Sequence, residues 1–345
     1  MRLAGGIVAV VLVALVPATS MAATVRVAPR PVPNADDCPG GVGPCAYAVI
    51  EYRAAAGEAN RLEIGAAGPE RTYRVRDDGA TIQPGEGCEM QGSQNVRCTI
   101  PSDARWGEVD ARLGDMDDTS TLSVEILNTF RGGAGNDTLD GSATTDYLYG
   151  DAGRDRLVGG AGSDFLFGGD EVEADTFEGG EGRDEVSYVN RTARVKVNLA
   201  QPTYPSGQSG EGDLLSGVEL IQGGRGSDVL RGSNEGVVLA GNRGNDRLYG
   251  GLGRDGLFGE EGHDKIWGDG GRDVLEGYTG NDALVGGCDR DVLRGERGND
   301  RLYDNDGFRD KLGGGPGTDF ARYDQLDIVR HVERRRRLQT DACAL

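Results

Sequence analysis

Between Gly241 and Tyr303 one large apolar residue recurs at every ninth position: Leu248, Leu257, Ile266, Leu275, Leu284, Leu293 and Leu302. Each sits between two residues of mixed character and follows six residues of glycine and polar side chains, as in Gly241-Asn-Arg-Gly-Asn-Asp246-Arg-Leu-Tyr. The x-Leu-x triplet predicts a short strand whose middle side chain faces inward and whose neighbours face outward. Glycines at the first, second and fourth positions permit positive φ and close backbone approach, so the six residues before it predict a tight turn. Two such units make one coil with two opposed strands. The predicted fold is therefore all-β, a flattened parallel solenoid (a β-roll), preceded by a small N-terminal β region. One buried leucine contributes only about 1.5–3 kcal/mol, a thin return for ordering nine residues, so apolar burial alone does not hold such a coil.

The same pattern organises the rest of the chain. A first repeat block spans residues 131–187, with loop aspartates Asp137, Asp155, Asp164, Asp175 and Asp184. Asp146 lies in a degraded copy without its glycines. Residues 188–222 interrupt the pattern: Val195 to Leu199 alternates like a strand, and Gln201 to Gly212 reads as an irregular loop. The second block, 223–322, carries Asp228, lacks its acid at Val237, and continues through Asp246, Asp255, Asp264, Asp273, Asp282, Asp291 and Asp300. Asp310 and Asp319 close it less regularly. In residues 38–130, alternating runs at Tyr47–Arg53, Arg61–Ile64, Thr72–Arg76, Val96–Ile100 and Val109–Leu113 predict strands punctuated by turns. Gly114-Asp-Met-Asp-Asp118 looks like a worn repeat loop, so this region is either a domain of its own or a lead-in to the solenoid. Residues 24–37 are proline-rich and predict a linker, and residues 323–345 predict a basic tail.

Residues 1–23 have the charged start, apolar run and small-residue end of a secretory signal, with cleavage expected near Ala22 or Ala23. No other segment is apolar enough to cross a membrane, and a secreted, extracellular, monomeric chain is expected. Export permits disulfides. Cys38 with Cys45 and Cys88 with Cys98 are the expected pairs, while Cys288 and Cys343 are left unpaired or paired with each other.

Composition sharpens the chemistry. The chain carries a formal charge of −20 and 59 glycines among 345 residues. That charge disfavours nucleic acid and anionic membranes as partners and favours cations. Coiling stacks the loop aspartates, so like charges repel until a hard cation sits between them. Calcium suits them, because it accepts 6–8 oxygens from carboxylates and carbonyls in flexible geometry, whereas magnesium demands a stricter octahedron. The residue types offer no thiol or imidazole cluster to select zinc or copper.

Written by position, the unit is Gly-Gly-x-Gly-x-Asp-x-Leu-x, and it resembles the RTX (repeats-in-toxin, haemolysin-type) calcium-binding nonapeptide family. The resemblance covers Gly132 to about Arg322 outside the interruption. It implies several Ca2+ ions held between stacked turns by position-six aspartates and glycine-loop carbonyls. Loops two repeats apart would share an edge, so Asp246 would share ions with Asp228 and Asp264, Asp255 with Asp273, Asp282 with Asp264 and Asp300, and Asp291 with Asp273. Departures weaken particular sites: Val237 has no carboxylate, Asp289 replaces a position-four glycine, and Arg254, Arg272 and Arg290 fill position five. Many family members are toxins, proteases or lipases, but those activities reside in separate domains not recognisable in this sequence, so a non-enzymatic chain is expected, whose acidic repeats fold on binding calcium after export. The leader differs from the uncleaved C-terminal signal common in the family, which points to a general secretory route.

Other features lie outside the metal pattern. Tyr249, Trp267, Val285 and Tyr303 fall on one sheet face beside Arg247, Lys265 and Arg301. This is either a cell-wall, glycan or protein-binding ribbon, as in an adhesin, or simple cross-strand packing. Gly251 to Gly256 matches a dinucleotide fingerprint without its βαβ context. His263 occupies a variable loop position. Catalytic elbows and zinc helices are missing from the sequence, which leaves a hydrolase in residues 38–128 as the weakest alternative. Arg334 to Arg337 suits either an anionic polymer or a solvated tail leaning on an acidic solenoid.

Overall fold

Leu248 lies beside Ile266 and Leu239 beside Leu257, each pair in parallel register one full coil apart. That offset builds the whole molecule. The computed structural model describes residues 22–31, 46–68, 71–100, 107–304 and 306–338. Its regular structure is all strand, wound as a parallel β-roll. One face is a 15-stranded sheet that runs the length of the roll; the other is two nine-stranded sheets placed end to end. The predicted inward residues, from Leu248 to Leu302, are fully buried and belong to one continuous core that extends from Ala23 to Val332.

The five N-terminal strands expected from alternation are present as Ala46–Arg53, Arg61–Ala66, Thr72–Asp77, Asn95–Thr99 and Gly107–Gly114. Ala46–Arg53 pairs in parallel with Gly107–Gly114, which pairs in turn with the first repeat strand, Leu127–Ala134. The region thus shares its sheets and core with the solenoid and is its lead-in. Antiparallel strands then close the exposed end of the roll, where an unpaired edge would invite another chain. Among them, Cys88–Gly92 pairs with Asn95–Thr99, and the expected Cys88–Cys98 disulfide crosses that pair. Cys38, Cys45 and most of the leader (residues 1–21) lie outside the described residues. Cys288 is disulfide-bonded, so it is not an unpaired thiol.

Two segments differ from expectation. Ala23–Pro31, read as the start of a linker, is a strand paired antiparallel with Ala46–Arg53 and parallel with Ile82–Pro84. Its Thr-Val-Arg-Val alternation, with Val25 and Val27 buried, outweighs the prolines that follow. The basic tail is likewise part of the roll. Ile328–Arg330 extends the long sheet, and Arg334–Arg337 pairs in parallel with Phe320–Tyr323 as the exposed last strand of the second short sheet.

The interruption marks where the second face changes sheets. Glu185–Ser187 is followed directly in the long sheet by Leu220–Gln222, while Val195–Asn198 begins the parallel run of the second short sheet against Val229–Arg231. The irregular loop folds back as a plug: Arg191 and Glu211 form a buried ion pair, Arg191 also donates to the Gly169 carbonyl at 2.5 Å, and the Tyr188 hydroxyl donates to Asp213 at 3.0 Å.

Candidate metal centres

Each repeat loop but the one at Val237 ends by burying a carboxylate at the turn's inner wall. In the second block the Oδ1 atom of every such aspartate accepts the backbone N–H of its counterpart one coil earlier. Asp246 receives Asp228, Asp264 receives Asp246, Asp282 receives Asp264 and Asp300 receives Asp282, at 2.7–2.8 Å. On the opposite edge Asp273 receives Asp255 and Asp291 receives Asp273 in the same way. Loops two repeats apart therefore stack on one edge in these pairs, as the 18-residue period predicts.

The second oxygen has no such use. Oδ2 is buried and without a hydrogen-bond partner in Asp137, Asp155, Asp164, Asp184, Asp246, Asp255, Asp264, Asp273, Asp282, Asp291, Asp300, Asp310 and Asp319. A buried carboxylate oxygen without a partner is costly. Burial pushes these acids up from their ordinary range: Asp246 and Asp273 to about 8, Asp282 and Asp291 to about 7, Asp264 and Asp300 to about 6. Repulsion from the stacked neighbours Asp228 and Asp264 adds to the rise at Asp246.

The position-one glycine shows where those oxygens point. A Cβ on Gly241 would lie 2.3 Å from Asp246 Oδ2 and 2.9 Å from the Gly259 carbonyl oxygen of the next coil. Gly250 repeats this with Asp255 Oδ2 and the Gly268 carbonyl. Position one is thus glycine for space, not for positive φ, which the loops take at other positions. On one edge the second position is left-handed without being glycine, at Asn242, Glu260, Tyr278 and Glu296. The result is a narrow slot per loop, lined by a carboxylate oxygen and a backbone carbonyl. An all-oxygen, negatively charged donor set fits a hard divalent cation, and calcium accepts this mixture most readily.

Not every expected ligand is equivalent. Asp228 spends Oδ2 on the Gly224 N–H at 2.7 Å, and Asp175 has Arg191 as a cationic neighbour. Val237 holds its place in the column, its N–H donating to Asp255, but its side chain fills the slot with carbon. Asp146, in the degraded copy, also stands in register, yet its Oδ2 accepts the Ser142 N–H. Asp289 takes the glycine's positive φ, at 81°.

The structure adds acids that counting by nine did not reach. Asp118 in the worn loop has an unpartnered Oδ2 and receives the Asn60 N–H. Asp213 receives Asp175, and Glu219 receives Asp184, across the insertion. Asp327 and Glu333 receive Asp310 and Asp319 at the far end. Counting back eighteen residues from Val237 reaches Glu219; Asp213 has no such signal, because the loop length between it and Asp175 is arbitrary. Position five forms a ladder of its own, in which His263 donates its N–H to Asn245 and accepts the Asn281 N–H at Nδ1. His263 is thus an exposed rung of that ladder.

On the outer face, Tyr249 stacks on Trp267 at 4.7 Å with rings parallel to 3°, and the Arg231 guanidinium covers Tyr249 at 3.9 Å. Similar stacks join Tyr147 to Phe165 and Tyr149 to Phe167 in the first block. Among the described residues no helix is long and apolar enough to cross a membrane.

A family model described as the RTX calcium-binding nonapeptide repeat (4 copies) matches the chain in overlapping segments across residues 128–186 and 215–321. No curated protein matches the chain. The matched segments are those whose loops carry the stacked carboxylates, and they flank the insertion where the second face changes sheets. The chain belongs to the RTX calcium-binding nonapeptide-repeat family, as a calcium-binding β-roll.

Proposed function

We propose that this is a secreted protein whose acidic roll folds when its loops take up calcium outside the cell, with a structural rather than catalytic role. The observation that carries this reading is the column of buried Oδ2 atoms without partners, most of them beside a carbonyl of the next coil. Asp137, Asp155, Asp164, Asp184, Asp246, Asp255, Asp264, Asp273, Asp282, Asp291, Asp300, Asp310 and Asp319 would hold the ions, with Asp175 and Asp228 as weaker members. Calcium would supply positive charge where the fold otherwise buries repulsion, linking binding to folding. Where calcium is scarce, a chain this acidic and glycine-rich stays expanded. Far-ultraviolet circular dichroism of the full chain in EDTA, then in excess calcium, tests the reading. A large gain of β signal on adding calcium is expected; equal β content in both states rejects calcium-driven folding.

A second reading makes the outer ribbon a glycan- or wall-binding surface, since Tyr249, Trp267 and Tyr303 are only half-buried. The parallel stack and its guanidinium cover also serve sheet packing. The pair Tyr249→Ser with Trp267→Ser separates the two. Loss of glycan or wall binding at unchanged calcium affinity supports the surface, and loss of calcium affinity alone supports packing.

A further inference from the structure

One loop near the end of the roll breaks the repeat twice. Asp304 stands where the other loops of the second block begin with glycine, and one extra residue separates it from Asp310. The consequence is a pocket unlike the others. Asp291, Asp304 and Asp310 each place a carboxylate oxygen within 4.8 Å of the other two. All three are buried, at 2, 3 and 0 % exposure.

The hydrogen bonds separate two uses of acid in this stretch. Asp324 and Asp327 spend both oxygens on backbone N–H groups: Asp324 on Gly307 and Leu326, Asp327 on Asp310 and Asp324. Asp306 accepts the Phe308 N–H. Asp291 and Asp310 each use Oδ1 in the column and leave Oδ2 without a partner. Asp304 uses neither oxygen: Oδ1 and Oδ2 are both buried and unpartnered. A Cβ on Gly286 would lie 2.1 Å from Asp304 Oδ2 and 2.7 Å from Asp291 Oδ2, so both oxygens converge on one slot. Backbone capping does not account for Asp304.

The geometry points to one repeat slot converted into a three-carboxylate site for one hard divalent cation, formed by Asp291, Asp310 and the off-motif Asp304, that binds calcium more tightly than the other repeat slots. The inference rests on the calcium reading of the repeats, and adds that a third charge from outside the motif sets this slot apart. Affinity in oxygen-only sites rises with the number of charged ligands. Three carboxylates replace the single carboxylate and carbonyl of a repeat slot. Closing this loop first would fix the register of the last coils on one edge.

Equilibrium dialysis of the full chain against chelator-buffered calcium tests it, with Asp304→Asn and Asp304→Gly as variants. The glycine variant restores the residue of the repeat, so at least one of the two is expected to keep the calcium-saturated circular dichroism of the native chain. In the native chain one ion is expected to bind at a free calcium level at least about tenfold below that of the cooperative repeat step. Both variants should lose that first ion and keep the later step. Isotherms that superimpose for native and variant chains overturn this site and leave the repeat reading standing. A native chain that binds no calcium at all overturns both.

Discussion

Asp264 accepts the Asp246 N–H through Oδ1 at 2.8 Å and leaves Oδ2 buried without a partner. One carboxylate thus does two jobs: one oxygen sets the register of adjacent coils, and the other offers a ligand. The jobs can be parted by substitution. Asp264→Asn keeps an oxygen for the ladder and puts an amide where the ligand oxygen stood. Its metal-free stability should hold or rise, while calcium affinity on that edge falls about tenfold or more. Asp264→Ala removes both functions and strands the Asp246 N–H, at a cost of about 1–3 kcal/mol even without metal. Calcium isotherms, with circular dichroism in EDTA to compare the metal-free chains, check the pair. Equal calcium affinity in the asparagine variant and the native chain argues against ligation by this column.

The buried acids also set the sign of the pH dependence. Asp246, Asp273 and Asp310 are raised to about 8, chiefly by burial. In the unfolded chain aspartates titrate near 4. Between those limits the folded chain binds more protons than the unfolded one, so metal-free stability falls as pH rises and the penalty is complete above about 8. In EDTA the residual β signal should therefore be larger at pH 5 than at pH 8. With saturating calcium the slope should reverse, because protons compete with the metal for the same oxygens. Circular dichroism in EDTA and melting curves in saturating calcium, each at both pH values, decide it; trends of the same sign in both conditions contradict the assignment.

The insertion carries its own cation. Arg191 and Glu211 have side chains exposed by only 5 and 0 %, and Arg191 reaches the Gly169 carbonyl. Arg191→Ala leaves Glu211 buried and uncompensated, and should cost about 3–5 kcal/mol. The double change Arg191→Met with Glu211→Leu should recover most of that loss. Denaturant midpoints in excess calcium measure both. A single alanine variant as stable as the native chain would show that the plug contributes little to folding.

Much of this was legible in the chain itself. A leucine every ninth residue dictates an inward stripe, and the two-repeat period dictates which aspartates stack, since a strand leaves its side chains no other faces. Leu248 to Leu302 and the pairs Asp246–Asp264 and Asp273–Asp291 therefore follow from spacing alone. Wherever contacts bridge segments without a fixed period, the residues were silent. The short alternation at Thr24–Val27 becomes a strand only because Ala46–Arg53 and Ile82–Pro84 lie on either side of it, and Arg334–Arg337 is one because Phe320–Tyr323 offers it an edge. Asp213 enters the column only through the way its loop returns, and Asp304 gathers Asp291 and Asp310 only because an added residue shifts one turn against the next. Periodicity is a local property that any stretch of chain can display. Which oxygens end up buried without a partner is decided by the coils above and below, and only the folded roll brings those together.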